Sequence, residues 1–211
     1  MIKKDQLAGY MIKKNMQNKR VGLFGGSFDP IHFGHLNLAL EMLEKNKVDF
    51  VIFIPANVSA FKVKTPPRVS SDSRLKMINK TIKSIEGFSS SDFEIQRDTT
   101  SYTIDTVNYF YENVSQNLFL IMDAFVARDL DKWKNIDEIA KKASFLIGQR
   151  KNCALVENTL RFLTKEMFVP IREMEISSTD VRERIKNKLY IEHLVPKLVV
   201  DFISKNHLYL N

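Results

Sequence analysis

His32 and His35 stand three residues apart, directly after the run Gly25-Gly26-Ser27-Phe28-Asp29-Pro30. Imidazoles at that spacing can face one volume, and each can donate a hydrogen bond to an oxyanion. Gly25 and Gly26 let backbone N–H groups turn toward an anion with no Cβ in the way, so the amides of Gly25, Gly26, Ser27 and Phe28 are candidate phosphate ligands. Gly34, between the histidines, lets a ligand or a neighbouring backbone come close. A helix is expected from His35, and its N-terminal dipole favours negative charge. The chemistry these residues point to is the handling of a phosphate. No Lys-Ser/Thr pair follows, so this is not a Walker loop, and the glycine spacing does not fit the dinucleotide-binding G-x-G-x-x-G. The alternatives are a structural histidine pair or a metal site, and a metal would need further ligands that no Cys/His cluster supplies.

A second group of polar residues lies about 140 residues on. Ser177-Ser178-Thr179-Asp180-Val181-Arg182 follows an apolar segment and opens a helix. Ser178 is the expected N-cap, and Asp180 suits the first turn. The hydroxyls of Ser177, Ser178 and Thr179, the free N–H groups and Arg182 gather at one helix N-terminus, a second place for an anion. Arginine binds phosphate with two parallel hydrogen bonds. The plainer alternative is a well-capped helix with a solvated arginine.

The scaffold for both groups must come from a chain of 211 residues, 44% hydrophobic and 27% charged, with seven Gly and six Pro. That composition excludes disordered, low-complexity and collagen-like chains. The length closes one core, with room for an appendage. The longest apolar run, 50–56, is far short of the ~20 residues of a membrane helix. Cys153 is the single cysteine. It allows no intramolecular disulfide or thiolate cluster and suits a reducing cytoplasm. Of the net charge of +7, a surplus of five lies in residues 1–20, six cations against Asp5, leaving +2 for the other 191 residues. Residues 1–20 therefore read as a basic extension, and a nucleic-acid surface on the domain, 21–211, is not implied. Methionines at 1, 11 and 16 leave the translation start open.

Strands are expected at 21–24, 48–55, 93–95, 118–122, 144–147 and 168–171, the last with a continuation toward 176. Helices are expected at 35–45, 71–85, 103–112, within 124–142, and at 154–165, 178–187 and 196–205. The alternation implies an α/β domain: a Rossmann-like open, mainly parallel sheet with helices on both faces, closed by C-terminal helices. Such sheets bind ligands beyond the carboxyl ends of their strands, which places Gly25–His35 at the expected site.

The run from Gly25 to His35 resembles the signature of nucleotidyltransferases with an H-x-G-H motif, which transfer a nucleoside monophosphate from a triphosphate to a phosphate acceptor. A version of the motif also occurs in class I aminoacyl-tRNA synthetases, which are longer. Ile176 to Arg182 resembles the I-S-S-T-x-x-R motif paired with it. The resemblance implies that His32 and His35 bind the triphosphate and stabilise the transition state, while Arg182 and the Ser177–Thr179 segment grip the departing pyrophosphate.

The middle of the chain is similar to bacterial nicotinate-nucleotide adenylyltransferases. Pro55 to Lys62 resembles their P-x-x-x-P-x-x-K segment, and Ser101 to Thr106 their Y-T-x-D-T. Asp123 and Trp133 match G-A-D and a tryptophan ten residues on, and Leu194 to Tyr209 matches the family ending. The resemblance implies transfer of the adenylyl group of ATP to nicotinate mononucleotide, with Mg²⁺ carried on the triphosphate and no metal site in the protein. Asn57, Lys62, Tyr102, Thr103, Asp123 and Trp133 become the candidate acceptor residues. Trp133 or Tyr102 offers a ring face, amides near Tyr102 and Thr103 offer donors to the carboxylate, Lys62 a cation for the phosphate, and Asp123 an acceptor for ribose hydroxyls. Packing, solvation or capping are the structural alternatives for these residues. Two departures bear on the pocket: Ile121-Met122 replaces G-A before Asp123, and Ser59-Ala60-Phe61-Lys62 replaces an aromatic-Pro-His-Lys loop. Competing readings are an adenylyltransferase for nicotinamide mononucleotide or phosphopantetheine, a cytidylyltransferase, and a nucleotide- or nucleic-acid-binding protein without catalysis. No membrane partner is expected, and the oligomeric state stays open.

Overall fold

A computed structural model describes residues 16–97, 99–149 and 162–210. Its strands are β1 (Val21–Gly26), β2 (Phe50–Pro55), β3 (Phe88–Ser90), β4 (Leu118–Asp123), β5 (Ala143–Gln149) and β6 (Phe168–Pro170). They form one sheet in the order β3-β2-β1-β4-β5-β6, and every pairing is parallel. The helices are α1 (Phe33–Glu44), α2 (Ser71–Ile82), α3 (Thr103–Asn113), α4 (Ala124–Ala127), α5 (Ile136–Lys142), α6 (Ser178–Lys186) and α7 (Lys197–Lys205).

The central strands are apolar on both faces because helices cover both. Phe24, Val51, Phe53, Ile121 and Leu146 pack on one side with Met42, Met77, Ile78, Val181, Ile185, Val199 and Ile203, from α1, α2, α6 and α7. Val21, Leu23, Ile52, Ile54, Leu118, Leu120, Phe145 and Ile147 point the other way, toward Ile104, Val107 and Phe110 of α3 and Ile139 of α5. Alternate residues of each strand serve opposite cores, as the two-residue period requires. Register aligns Gly26 with Pro55 and Asp123 with Gly148. The ends of these strands are therefore level, and the loops that follow open along one edge. Strand order reverses between β1 and β4, the place where such sheets take ligands.

Two expectations change. The strand read at 93–95 lies earlier, at β3, and 93–97 forms turns. Phe93 and Glu94 mimic strand alternation for another reason: the Phe93 ring stacks on Tyr109 at 4.2 Å, while Glu94 turns inward to Thr106. Residues 171–177 carry no regular structure, so β6 stops at Pro170. Most of the expected helix at 154–165, with Cys153, lies outside the described residues. Of the basic extension, Met16 is buried against the α3 side of the sheet, and the Lys19 carbonyl accepts from Ser115 Oγ at 2.7 Å.

Candidate active site

The histidines are locked to each other before any ligand arrives. His32 is the N-cap of α1, and its Nδ1 accepts from the His35 N–H at 3.4 Å. The His35 Nδ1 accepts in return from the His32 N–H at 3.2 Å. This is a capping box built from two imidazoles. The rings stack with centroids 3.6 Å apart. Each Nδ1 is an acceptor, so the neutral ring carries its proton on Nε2. Burial pushes the His32 pKa down to about 4, so this ring stays an uncharged donor at neutral pH. Gly34 makes the arrangement fit: a Cβ there would sit 3.0 Å from His32 Nδ1.

Gly25 leaves the loop open without needing a positive φ. Among described glycines only Gly87 has a positive φ. A Cβ on Gly25 would meet nothing within 4 Å, because it would project into open cleft. A Cβ on Gly26 would press on the Phe28 ring at 3.0 Å. Phe28 itself, at φ 48, is buried in the core. Its ring is structural, and Phe28 is not among the residues that line the cleft, which departs from its expected place beside the phosphates.

The N-terminus of α6 is bonded directly onto this loop. Ser177, not Ser178, is the N-cap, its Oγ accepting from the Asp180 N–H at 3.0 Å. Three consecutive hydroxyls made the cap ambiguous in the sequence. Ser178 Oγ donates instead to the Pro30 carbonyl at 2.9 Å. Arg182 donates through Nη1 to the Asp29 carbonyl at 2.7 Å and through Nη2 to Thr179 Oγ1 at 3.0 Å. The guanidinium is thus fixed by neutral acceptors, with the Asp29 carboxylate 3.8 Å away.

Two residues that the sequence did not single out hold these loops together. The buried Asp29 carboxylate accepts from Tyr209 Oη at 2.9 Å and from the Arg68 N–H at 2.7 Å. The buried Arg74 guanidinium donates to the Ser27 and Ala56 carbonyls, both at 2.7 Å, and to that of Asn57 at 3.2 Å. Arg74 therefore ties the loop after β1 to the loop after β2.

A cleft of about 1500 Å³ contains Gly25, Gly26, Ser27, His32 and His35, and also Ser177, Ser178, Thr179 and Arg182. Tyr102, Thr103, Asp123 and Trp133 line it too. Tyr102 is the N-cap of α3, without a side-chain cap bond. Asp123 caps α4, accepting from the Val126 N–H at 2.8 Å. Trp133 does two things at once, packing on the core below and facing the cleft. Asn57 departs from expectation. It does not line the cleft; its N–H donates to Ser101 Oγ at 3.2 Å and its amide to the Arg97 carbonyl at 3.4 Å, so it shapes the loop wall. Lys62 ends a short 3₁₀ turn, Ala60–Lys62, and its side chain lies outside the described residues.

The sequence also gave no sign of Glu94, whose carboxyl is raised by burial and accepts from Thr106 Oγ1 at 2.6 Å. It missed Lys134 as well, whose Nζ sits 4.4 Å over the Tyr102 ring. The Ile121-Met122 departure has a local counterpart in β1. Ile121 Cδ1 occupies the place where a Cβ on Gly22 would be, 2.5 Å away. Glycine in β1 makes the room that isoleucine in β4 takes.

With this geometry the comparisons with known proteins agree. The cytidylyltransferase-like family matches residues 23–184. A Methylacidiphilum infernorum protein named "Probable nicotinate-nucleotide adenylyltransferase" is 38% identical over 204 residues, 95% of this chain and 96% of its own length. A Clostridium botulinum protein of the same name is 36% identical, covering 90% of this chain and 98% of its own. Among solved structures, Plasmodium falciparum nicotinic acid mononucleotide adenylyltransferase complexed with NaAD superposes with a TM-score of 0.72 at 17% identity, over 92% of this chain and 97% of that one. The same enzyme complexed with APC gives 0.69 at 16% identity, over 91% and 98%. These two show the shared fold. The chain belongs to the nicotinate-nucleotide adenylyltransferase family, within the cytidylyltransferase-like proteins.

Proposed function

We propose that this chain transfers the adenylyl group of ATP to nicotinate mononucleotide, giving nicotinate adenine dinucleotide and pyrophosphate. The observation that carries the reading is the bonded join between the two motifs. Arg182 and Ser178 reach the Asp29 and Pro30 carbonyls, so the histidine pair and the guanidinium face one cleft. The names of the relatives supply the acceptor.

The acceptor's 5′-phosphate oxygen attacks the α-phosphorus in line, and the bond from that phosphorus to the bridging oxygen breaks. The phosphate is already a competent nucleophile, so no general base is needed. Catalysis is positioning and charge stabilisation. His32 and His35 donate Nε2–H to the reacting and bridging oxygens. Arg182, the hydroxyls of Ser177, Ser178 and Thr179, and the α6 amides hold the departing pyrophosphate. The amides of Gly25, Gly26 and Ser27 line the triphosphate, with Gly25 keeping the space clear. Trp133 or Tyr102 serves the pyridine ring, the Thr103 amide its carboxylate and Asp123 the ribose, and Lys62 is the residue we assign to the acceptor phosphate.

ATP is taken as its complex with a divalent cation, for which we propose Mg²⁺. Among the described residues no group of three His, Cys, Asp or Glu side chains comes together to hold a metal. The chain's own share of that task is to bind the phosphates around an ion held by substrate oxygens and water. No helix among the described residues is long and apolar enough to cross a membrane, and the cytoplasm is the compartment we propose.

The test is pyrophosphate release from ATP with nicotinate mononucleotide, nicotinamide mononucleotide and phosphopantetheine side by side, with CTP as the alternative donor. The reading predicts ATP with the nicotinate acceptor as the best pair. Release only with phosphopantetheine, or only with CTP, contradicts it.

A further inference from the structure

We propose that Lys134 selects the acid form of the acceptor by presenting a cation to the carboxylate of its pyridine ring. This rests on the reading above, that the acceptor is a pyridine mononucleotide. Lys134 follows Trp133, and its Nζ lies 4.4 Å from the centroid of the Tyr102 ring. All three residues line the cleft. Neighbouring cations at this end are already paired: Lys132 with Asp129 at 2.5 Å, and Arg97 with Asp105 at 3.1 Å. Among the described residues no carboxylate pairs with Lys134. Its ammonium rests on an aromatic face, a weak contact where water has access. An arriving carboxylate is a stronger partner and finds the charge in place.

Ring faces cannot make this choice. A pyridine carboxylate and the corresponding carboxamide have nearly the same shape, so Trp133 and Tyr102 stack on both alike. Charge separates them, together with hydrogen bonding: both carboxylate oxygens accept, whereas the carboxamide nitrogen donates. Asp123 also lines this cleft, and its carboxylate repels an anion placed beside it. A cation on the Tyr102 wall offsets that repulsion for the acid and gives the amide nothing comparable.

The experiment is steady-state kinetics at saturating ATP with each mononucleotide, on the wild type, Lys134→Met and Lys134→Arg. Methionine keeps an apolar stem against Tyr102 and removes the charge. The KM for nicotinate mononucleotide should rise roughly tenfold in Lys134→Met, the size of one partly screened charge pair. The KM for the amide, the KM for ATP and kcat should each move by less than about twofold, as expected for a charge sensed by the acid alone. Lys134→Arg should stay near the wild type. Equal losses with both acceptors, or an unchanged KM for the acid, overturn the role of Lys134 and leave the reaction assignment standing. A wild-type enzyme without turnover on either mononucleotide overturns the reaction assignment, and this proposal with it.

Discussion

His32 is a histidine that the fold keeps from becoming a cation. It is buried, it stacks on a second imidazole, and its Nδ1 is occupied as a helix cap. The folded pKa of about 4 lies below the ordinary 6.5. Stability from this group is therefore complete above pH 6.5 and is lost as pH falls through about 4. The shift corresponds to about 3 kcal/mol at most. Urea unfolding across pH 7 to 4 should show a steeper loss in the wild type than in His32→Asn, which keeps an acceptor for the His35 N–H. Equal slopes would show that His32 is not held neutral by the fold. Residues such as His32, His35 and Arg182 were legible in the sequence because their signals are local: glycine spacing, a capping position, a helix start. Asp29 and Arg74 were not. Their partners lie 180 residues away at Tyr209 and 47 away at Ser27, and no short motif reports such a bond.

Among the described elements, helices with an apolar stripe were legible almost to their ends, and buried strands likewise. The edge strand β3 was not, since Phe88-Ser89-Ser90 has no apolar run, while the turn at 93–95 imitates one. The contribution of the C-terminal segment was also hidden. Beyond α7, Tyr209 returns to the loop after β1 and donates to the Asp29 carboxylate in a buried setting. Burial and that carboxylate both push its phenol pKa up, so it stays a donor. Tyr209→Phe leaves a buried carboxylate oxygen without its partner and should cost about 1–3 kcal/mol of unfolding free energy. The freed carboxylate is then able to close on Arg182, 3.8 Å away, which should raise the KM for ATP. Tyr190→Phe, at an exposed hydroxyl bonded to Glu192, is the control and should change neither. Identical behaviour of the two variants would remove the C-terminal segment from the account.

For the whole molecule, the strand order and the two segments we propose for the phosphates solve one problem together. The reversal between β1 and β4 opens a gap at the carboxyl edge of the sheet. The loop after β1 fills one side of that gap, and α6, far along the chain, is hydrogen-bonded to its back. The end we propose for the acceptor is assembled from α3, the start of α4 and the Trp133 turn, all on the opposite core. Alternation of strands and helices announced this architecture, whereas the joins across it depend on tertiary packing. In the proposed reaction, transition-state stabilisation depends on an imidazole Nε2–H donor in the loop after β1. The most direct measurement is single-turnover adenylyl transfer from ATP to nicotinate mononucleotide by His35→Asn, which retains an acceptor for the His32 N–H and lacks the Nε2 donor. A folded variant slowed by roughly 10²–10³, the loss of one preorganised donor, is the predicted result; a folded variant that transfers at the wild-type rate contradicts the account.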